Sequence, residues 1–222
     1  MLRELREFSL AELNRLAQAR GLRTESGKAI TFVEPRPSNP YYEVHLFRSG
    51  EVSTRPDNKH DLFNALVWLA YPRTKARINA MHAREIPGEG GKRGRLRDML
   101  TIFDEGGAIA ACGDEVAALV RGAQWKTLFL ERHRDLRIVV LGHAVLEQAL
   151  EPYPGITCKV VFVAPGEDLD ARCAEWIGTQ PQSPRDLPPL PVMGYPGWYP
   201  GNGIAGFYDD ARVFRGVSGA ER

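Results

Sequence analysis

The chain has 222 residues, of which 43% are hydrophobic and 26% charged, and its formal net charge is +1. The near balance of charge argues against a nucleic-acid binder that works by bulk charge, and no apolar run approaches the roughly 18 residues of a membrane span. The N-terminus has no apolar stretch typical of a secretory signal, and the three cysteines contain no C-x-x-C pair, so we expect a cytoplasmic protein with reduced thiols.

Helical and extended patterns alternate in the first quarter of the chain. Ser9 and Glu12 have the spacing of a capping box, which predicts a helix over residues 9–19 that stops at Gly21. Three strands are predicted after it, at residues 30–33, 41–47 and 51–54. Ser49-Gly50 between the last two predicts a hairpin turn.

Two helices are predicted next, separated by Pro72. The first covers residues 57–70, with Asp57 or Asn58 as its cap, and the second covers about 73–83. A basic glycine-rich loop follows. Residues 99–103 and 108–112 resemble two strands that the turn sequence Asp-Glu-Gly-Gly joins as a hairpin.

Strands and helices also alternate in the second half. We predict helices over 114–121, 125–132, 142–150 and 168–177 and strands over 137–141 and 157–163. Residues 180–215 are rich in Pro, Gly and aromatic side chains and predict an irregular wrapping arm, and 216–222 a frayed tail. With the N-terminal helix in residues 1–27, this order predicts one compact domain over 1–222, of the α+β or mixed α/β class, with helices packed on a mixed sheet.

The helix over 57–70 is apolar on almost every side, so it is expected to be buried. His60 and Asn64 stand one turn apart on it, beside Asp61. Buried polar groups need partners. These groups either form an internal hydrogen-bond network or line the floor of a polar pocket.

The following helix carries Lys75, Asn79 and His82 in one stripe. If the two helices form a hairpin about Pro72, this stripe faces His60 and Asn64. The alternative is a solvated face, which we prefer for Arg73.

His143 follows a predicted buried strand and begins a helix, a position that often lines sites in α/β sheets. The nearby helix N-terminus would lower its pKa and keep the imidazole neutral, as a base or a metal ligand. A lone histidine is more often structural, so both interpretations stay open.

Asp98, Asp104 and Glu105 are close in sequence, and with His60, His82 or His143 they could bind a divalent metal. Asp104 and Glu105 are also ordinary turn residues, and Asp98 could form a salt bridge with a nearby arginine.

The loop over residues 88–97 combines glycines with Lys92, Arg93, Arg95 and Arg97, a composition that suits phosphate contact but is also common in solvated loops. Trp198 and Asn202 in the arm belong either to an aromatic lid or to packing that holds the chain end.

Several segments together resemble a bacterial family known only as domain of unknown function 3025. They are RPDNKHDLFNALVW at 55–68, YPRTK at 71–75, RDMLTIFDEGG at 97–107, GHAVLE at 142–147, PGW at 196–198 and FYDD at 207–210, with Asn202. The resemblance extends from about residue 32 to 214. It implies a single bacterial domain and no particular reaction.

Two functional hypotheses follow. The first is an enzyme, a hydrolase or transferase acting on a small anionic or phosphorylated substrate, in which His60, Asp61, Asp98 and His143 converge in one pocket for acid–base or metal chemistry. The residues assigned to substrate binding are Asn64, Arg73, Lys75, His82, Arg97, Trp198 and Asn202. The second, less favoured, is a non-catalytic nucleotide or nucleic-acid binding protein that uses the 88–97 loop and the aromatic arm on one open face.

Overall fold

A four-stranded mixed sheet lies at the centre of the fold in the computed structural model, which describes residues 9–36, 41–88, 93–179 and 183–216. The strands are β1 (Thr31–Val33), β2 (Glu51–Ser53), β3 (Gly107–Ala111), β4 (Arg137–Val140), β5 (Thr157–Val163) and β6 (Pro189–Pro191). The order in the central sheet is β4-β3-β5-β6, with β3 and β5 parallel and both outer pairs antiparallel.

The helices surround this sheet. They are α1 (Leu10–Ala19), α2 (Tyr42–Ser49), α3 (Lys59–Ala70), α4 (Pro72–Glu85), α5 (Arg95–Gly106), α6 (Asp114–Arg121), α7 (His143–Gln148) and α8 (Leu169–Thr179), with a π-helix at Thr127–Glu131. Local chemistry fixes several of their ends. The Asn58 side chain accepts a hydrogen bond from the Asp61 backbone at the start of α3, and Pro72 occupies the first turn of α4, where its missing N–H is not needed.

Strand β3 is buried along its whole length because its sequence, Gly-Ala-Ile-Ala-Ala, is small and apolar. Ala108 and Ala110 contribute to one hydrophobic cluster, with α6 and the C-terminal segment. Ile109 and Ala111 contribute to a second, with α5 and α8. A third cluster joins α1, α2 and α3 to the small parallel pair β1–β2. The described residues therefore form a single compact domain of the α+β class, as the sequence predicts.

The strand predicted over 41–47 is wrong, because this segment is helix α2. Tyr42 and Leu46 alternate with Val44 in sequence, but they also stand one helical turn apart and pack in the third cluster. Gly50 is therefore a left-handed helix cap rather than a hairpin turn, with φ +81° and its N–H bonded to the Leu46 carbonyl. Strand β2 follows it and pairs in parallel with β1.

The strand predicted over 99–103 is also wrong, since α5 runs through it to Gly106. Its buried side chains, Met99, Leu100 and Phe103, have helical spacing. Asp104 and Glu105 are consequently in the last turn of a helix and not in a hairpin turn, which changes where their carboxylates point.

The described part of the predicted arm, residues 183–215, is more ordered than expected. It contributes the edge strand β6 and several short 3₁₀ turns, and Tyr208 and Phe214 pack into the first cluster. The predicted frayed tail lies beyond the described residues, apart from Gly216. Among the described helices, none has the length and apolar character needed to cross a bilayer.

Candidate functional site

Three helices bring two imidazoles and a carboxylate together. His60 is in the first turn of α3, Glu105 in the last turn of α5, and His143 is the first residue of α7. The Nε2 atoms of the two histidines are 3.0 Å apart. Glu105 Oε2 lies 3.7 Å from His60 Nε2 and 3.5 Å from His143 Nε2. One ligand atom from each of these side chains therefore points into the same small volume.

A close backbone crossing fixes the position of His143 relative to Glu105. The Gly142 N–H donates to the Gly107 carbonyl over 2.8 Å. A β-carbon on Gly142 would lie 2.6 Å from the Glu105 carbonyl oxygen, so only glycine permits this approach. The end of α5 and the start of α7 are thereby held in contact.

Each histidine has a carboxylate beside its other ring nitrogen. Glu147 Oε2 lies 3.3 Å from His60 Nδ1. Asp104 Oδ2 lies 3.7 Å from His143 Nδ1, which is somewhat longer than a hydrogen bond. Carboxylates in this position orient metal-binding imidazoles and make them more basic.

Lys75 compensates the charge of Asp104. Its ammonium is buried, ion-paired with Asp104 Oδ1 and 2.8 Å from Asn64 Oδ1. Burial by itself raises the pKa of Asp104, but Lys75 and then His143 outweigh it and hold that pKa below its usual range. The prediction that the Lys75 stripe faces Asn64 across a helical hairpin is confirmed for this pair.

His143 is buried, and burial lowers its pKa, although Asp104 acts in the opposite direction. The imidazole is therefore neutral at pH 7 and has a lone pair available on one nitrogen. Desolvation is the main cause of the lowered pKa of His143, whereas the sequence predicts that the helix N-terminus lowers it.

The site is open on one side. The side chains of His60, Glu105 and Glu147 are 33%, 46% and 41% exposed, whereas those of His143 and Lys75 are 5% and 6% exposed. Buried His143 therefore stands beside partly exposed His60 and Glu105, and a small molecule from solvent can reach their ligand atoms.

A second group of buried polar side chains lies beside Lys75. His82 is buried and its Nδ1 accepts a hydrogen bond from Arg97 Nε over 3.3 Å. Asn79 Nδ2 donates to Glu43 Oε2 over 2.6 Å. His82 and Asn79 of the predicted stripe are therefore packed inside and not on a solvated face.

Several residues predicted for the site are engaged elsewhere. Asp61 accepts hydrogen bonds from the backbone and side chain of Arg55, all at 2.8 Å. Asp98 pairs with Arg93 at 3.5 Å. The predicted convergence of His60, Asp61, Asp98 and His143 is thus found for the two histidines only.

The remaining predicted binding residues have structural contacts. Arg73 forms an ion pair with Asp168 over 2.6 Å, across the α4–α8 contact. Asn202 is buried and donates to the carbonyls of Met193 and Tyr195, which ties the C-terminal segment together. Trp198 is 37% exposed, and its ring packs against that of Tyr195 with the centroids 5.3 Å apart. Residues 89–92 of the basic loop lie outside the described residues.

The sequence predicts no site role for Glu147, and it offers Glu105 only as a candidate metal ligand that competes with the turn interpretation of residues 104–107. Glu147 stands one turn after His143, so the pair His143–Glu147 at i, i+4 is the signal that could have identified it.

A family model described as "Protein of unknown function (DUF3025)" matches residues 30–217, which include His60, Glu105, His143 and Glu147. No curated protein and no solved structure matches the chain. The match covers well over half of the sequence, and the chain therefore belongs to the DUF3025 family.

Proposed function

We propose that this protein is a metal-dependent hydrolase in which His60, His143 and Glu105 bind one divalent transition metal. The single observation that supports this most is the triangle formed by His60 Nε2, His143 Nε2 and Glu105 Oε2, with sides of 3.0, 3.5 and 3.7 Å.

The size of this triangle matches the coordination distances of zinc. A triangle with these sides has a circumradius of about 2.0 Å, so one central point lies at that distance from all three atoms. Zinc binds histidine nitrogen at about 2.0–2.1 Å and carboxylate oxygen at about 2.0–2.2 Å. Three protein ligands also leave a coordination position for water, as catalytic zinc sites do.

The charges around the site favour a cation. The site contains three carboxylates, those of Asp104, Glu105 and Glu147. The ammonium of Lys75 contacts one of them, and buried His143 is neutral. The carboxylates outnumber the ammonium by two, which a divalent ion would neutralise. Without a metal, the same surface would repel an anionic substrate.

The metal would supply a nucleophile from water. Zinc lowers the pKa of bound water to near 7, so hydroxide is available at neutral pH, and it polarises a substrate carbonyl or phosphoryl oxygen. The ligand histidines are held by α3 and α7, with Glu147 and Asp104 beside their outer nitrogens. We prefer hydrolysis to group transfer because the open side of the site admits water as the acceptor.

Metal titration of the purified protein tests the proposal. After chelator treatment and dialysis, zinc is expected to bind with 1:1 stoichiometry in calorimetry, and His143→Ala and Glu105→Gln are each expected to weaken it at least about 100-fold. Glu151→Gln, which removes an exposed carboxylate one turn beyond Glu147, is the matched control and should bind like wild type. Failure of zinc, manganese, iron and cobalt to bind stoichiometrically would refute the metal centre.

A metal-free acid–base site is the second candidate. Glu147 Oε2, the two nitrogens of His60 and His143 Nε2 form a continuous chain with steps of 3.3 and 3.0 Å, as a proton relay would. Hydrolysis of p-nitrophenyl esters and of bis-p-nitrophenyl phosphate separates the candidates. The metal proposal predicts turnover that chelation abolishes and zinc restores, whereas the relay predicts turnover that survives chelation.

A further inference from the structure

We propose that the substrate of this centre carries a short apolar group, a small acyl chain or an aryl ring, which binds in a cavity between α3 and α7 next to the metal. The inference rests on the proposed metal function and adds a substrate class to it.

The cavity is small and apolar. Its volume is about 210 Å³. The residues that line it are Phe63, Leu66, Val67, Ala70, Tyr71, Val140 and Leu146. An apolar cavity of about 150 Å³ holds a benzene molecule, so this one has room for a phenyl ring or a short aliphatic chain.

The cavity begins one helical turn from each ligand histidine. Phe63 follows His60 by three residues on α3, and Leu146 follows His143 by three residues on α7. Three residues advance a helix by about 4.5 Å and return the side chain to nearly the same face. The apolar lining therefore starts about one helical turn from the metal ligands, within reach of a molecule that has one end on the metal.

A different surface lies on the other side of α7. The cleft there is about 490 Å³ and its lining includes Lys59, Glu147, Gln148 and Glu151. Its charged side chains suit the polar leaving part of a substrate and not an apolar group. The two cavities thus give the centre one apolar and one polar side.

The reaction that fits this arrangement is hydrolysis of an acyl compound. The oxygen of water adds to the acyl carbon, the bond from that carbon to the leaving group breaks, and the leaving group takes one proton. The products are a short-chain or aromatic carboxylic acid and the protonated leaving group, with no oxidant or reductant required.

A series of hydroxamates bound to the zinc-loaded protein tests the inference, because a hydroxamate head group chelates zinc and its tail can be varied. Acetohydroxamate, butanohydroxamate and hexanohydroxamate would be compared by calorimetry. Burial of each added methylene is expected to tighten binding about fourfold until the cavity is full.

Variants locate the tail. Leu146→Trp fills the cavity, and Val140→Met does so more mildly if the tryptophan variant fails to fold. Either should reduce the ratio of hexanohydroxamate to acetohydroxamate affinity towards one. Leu150→Trp, at an exposed position beside the polar cleft, is the control and should keep the wild-type ratio.

The outcomes separate the two proposals. If zinc does not bind, the metal function fails and this inference with it. If zinc and acetohydroxamate bind but longer tails give no gain, the metal function stands and the apolar substrate is wrong. A gain that Leu150→Trp removes and Leu146→Trp does not would place the tail in the polar cleft and also overturn the inference.

Discussion

His82 shows how burial beside positively charged groups affects a single residue. It is 3% exposed and accepts a hydrogen bond from Arg97, which disfavours a positive imidazole. Burial first, and Arg97 with Lys75 in addition, lowers the pKa of His82 to about 4, although Asp104 acts in the opposite direction. In the folded protein this side chain is therefore an uncharged acceptor over most of the accessible pH range.

Replacing His82 by glutamine is expected to make the protein less sensitive to acid. An unfolded histidine binds a proton below pH 6.5, but folded His82 does so only near pH 4. Stability is therefore lost as the pH falls from 6.5 towards 4, and His82 accounts for about 2.5 kcal/mol of that loss by pH 4.5. Urea unfolding of wild type and His82→Gln at pH 7 and 4.5 measures this loss of unfolding free energy.

The comparison between wild type and His82→Gln isolates this histidine. Glu43 is buried, and burial raises its pKa, so it stabilises the fold towards acid and opposes His82. Because Glu43 is present in both proteins, its effect cancels. A difference in unfolding free energy between the two proteins that stays the same at both pH values would contradict the assignment.

At the scale of elements, the sequence predicts most helices and strands but misses the helices α2 and α5 and the edge strand β6. Strand β5 and the bounds of α6 agree with the prediction. Helix α2 is missed because Tyr42, Val44 and Leu46 alternate in sequence, whereas its helical face is shown by tertiary contacts such as that of Glu43 with Asn79. Short amphipathic segments satisfy both periodicities, so packing decides between them.

The error at α5 hid part of the site. If residues 104–107 form a turn, the presence of Asp104 and Glu105 needs no functional role, because both are common turn residues. As the last helical turn, they place Glu105 against His143 and Asp104 against Lys75. The contact between the ends of α5 and α7 depends on Gly142, which belongs to the family segment GHAVLE but whose close backbone approach the sequence does not reveal.

Gly142→Ala is expected to separate these elements. Its new methyl group would meet backbone atoms of Glu105, Gly106 and Gly107, all at 2.6 Å. Backbone cannot yield as a flexible side chain can, so we expect a loss of about 1–3 kcal/mol in unfolding free energy. Because His143 moves with Gly142, zinc affinity should also fall at least tenfold. Urea unfolding and zinc titration give the two values.

Gly106→Ala is the matched control at the same junction. A β-carbon there meets only Val145, at an ordinary 3.9 Å, and alanine favours the end of α5. It should leave stability and zinc affinity equal to or above wild type. Equal behaviour of the two variants would show that the close crossing at Gly142 does not position the site.

At the scale of the whole molecule, the site depends on contacts between distant parts of the chain. The sequence predicted that the α3–α4 hairpin brings Asn64 and Lys75 together, since that contact is local. It could not place Glu105 and His143 beside His60, because the packing of α5 and α7 around β3 and β4 sets that distance. The three ligands therefore lie on helices that all contribute to the second hydrophobic cluster, through Val67 of α3, Met99 of α5 and Leu146 of α7.

A metal bound by these ligands would cross-link the fold, so zinc should stabilise it. A ligand that binds only the folded state at 100 times its dissociation constant adds about 2.7 kcal/mol. For a domain of this size that corresponds to a rise in Tm of about 5–10 °C. Differential scanning calorimetry of metal-free and zinc-saturated protein measures the shift.

His143→Ala separates this cross-link from adventitious metal binding, for instance at the cysteines. Cys112, Cys158 and Cys173 are buried, and burial raises the pKa of each thiol, to about 11, 12 and 12 respectively, so they are poor metal ligands in the native state. The variant should therefore lose most of the zinc-dependent rise in Tm. In hydrogen exchange, zinc should also slow local opening of α3, α5 and α7 without slowing local undocking of the β6 edge. A rise of equal size in His143→Ala would mean that zinc stabilises the protein from another site.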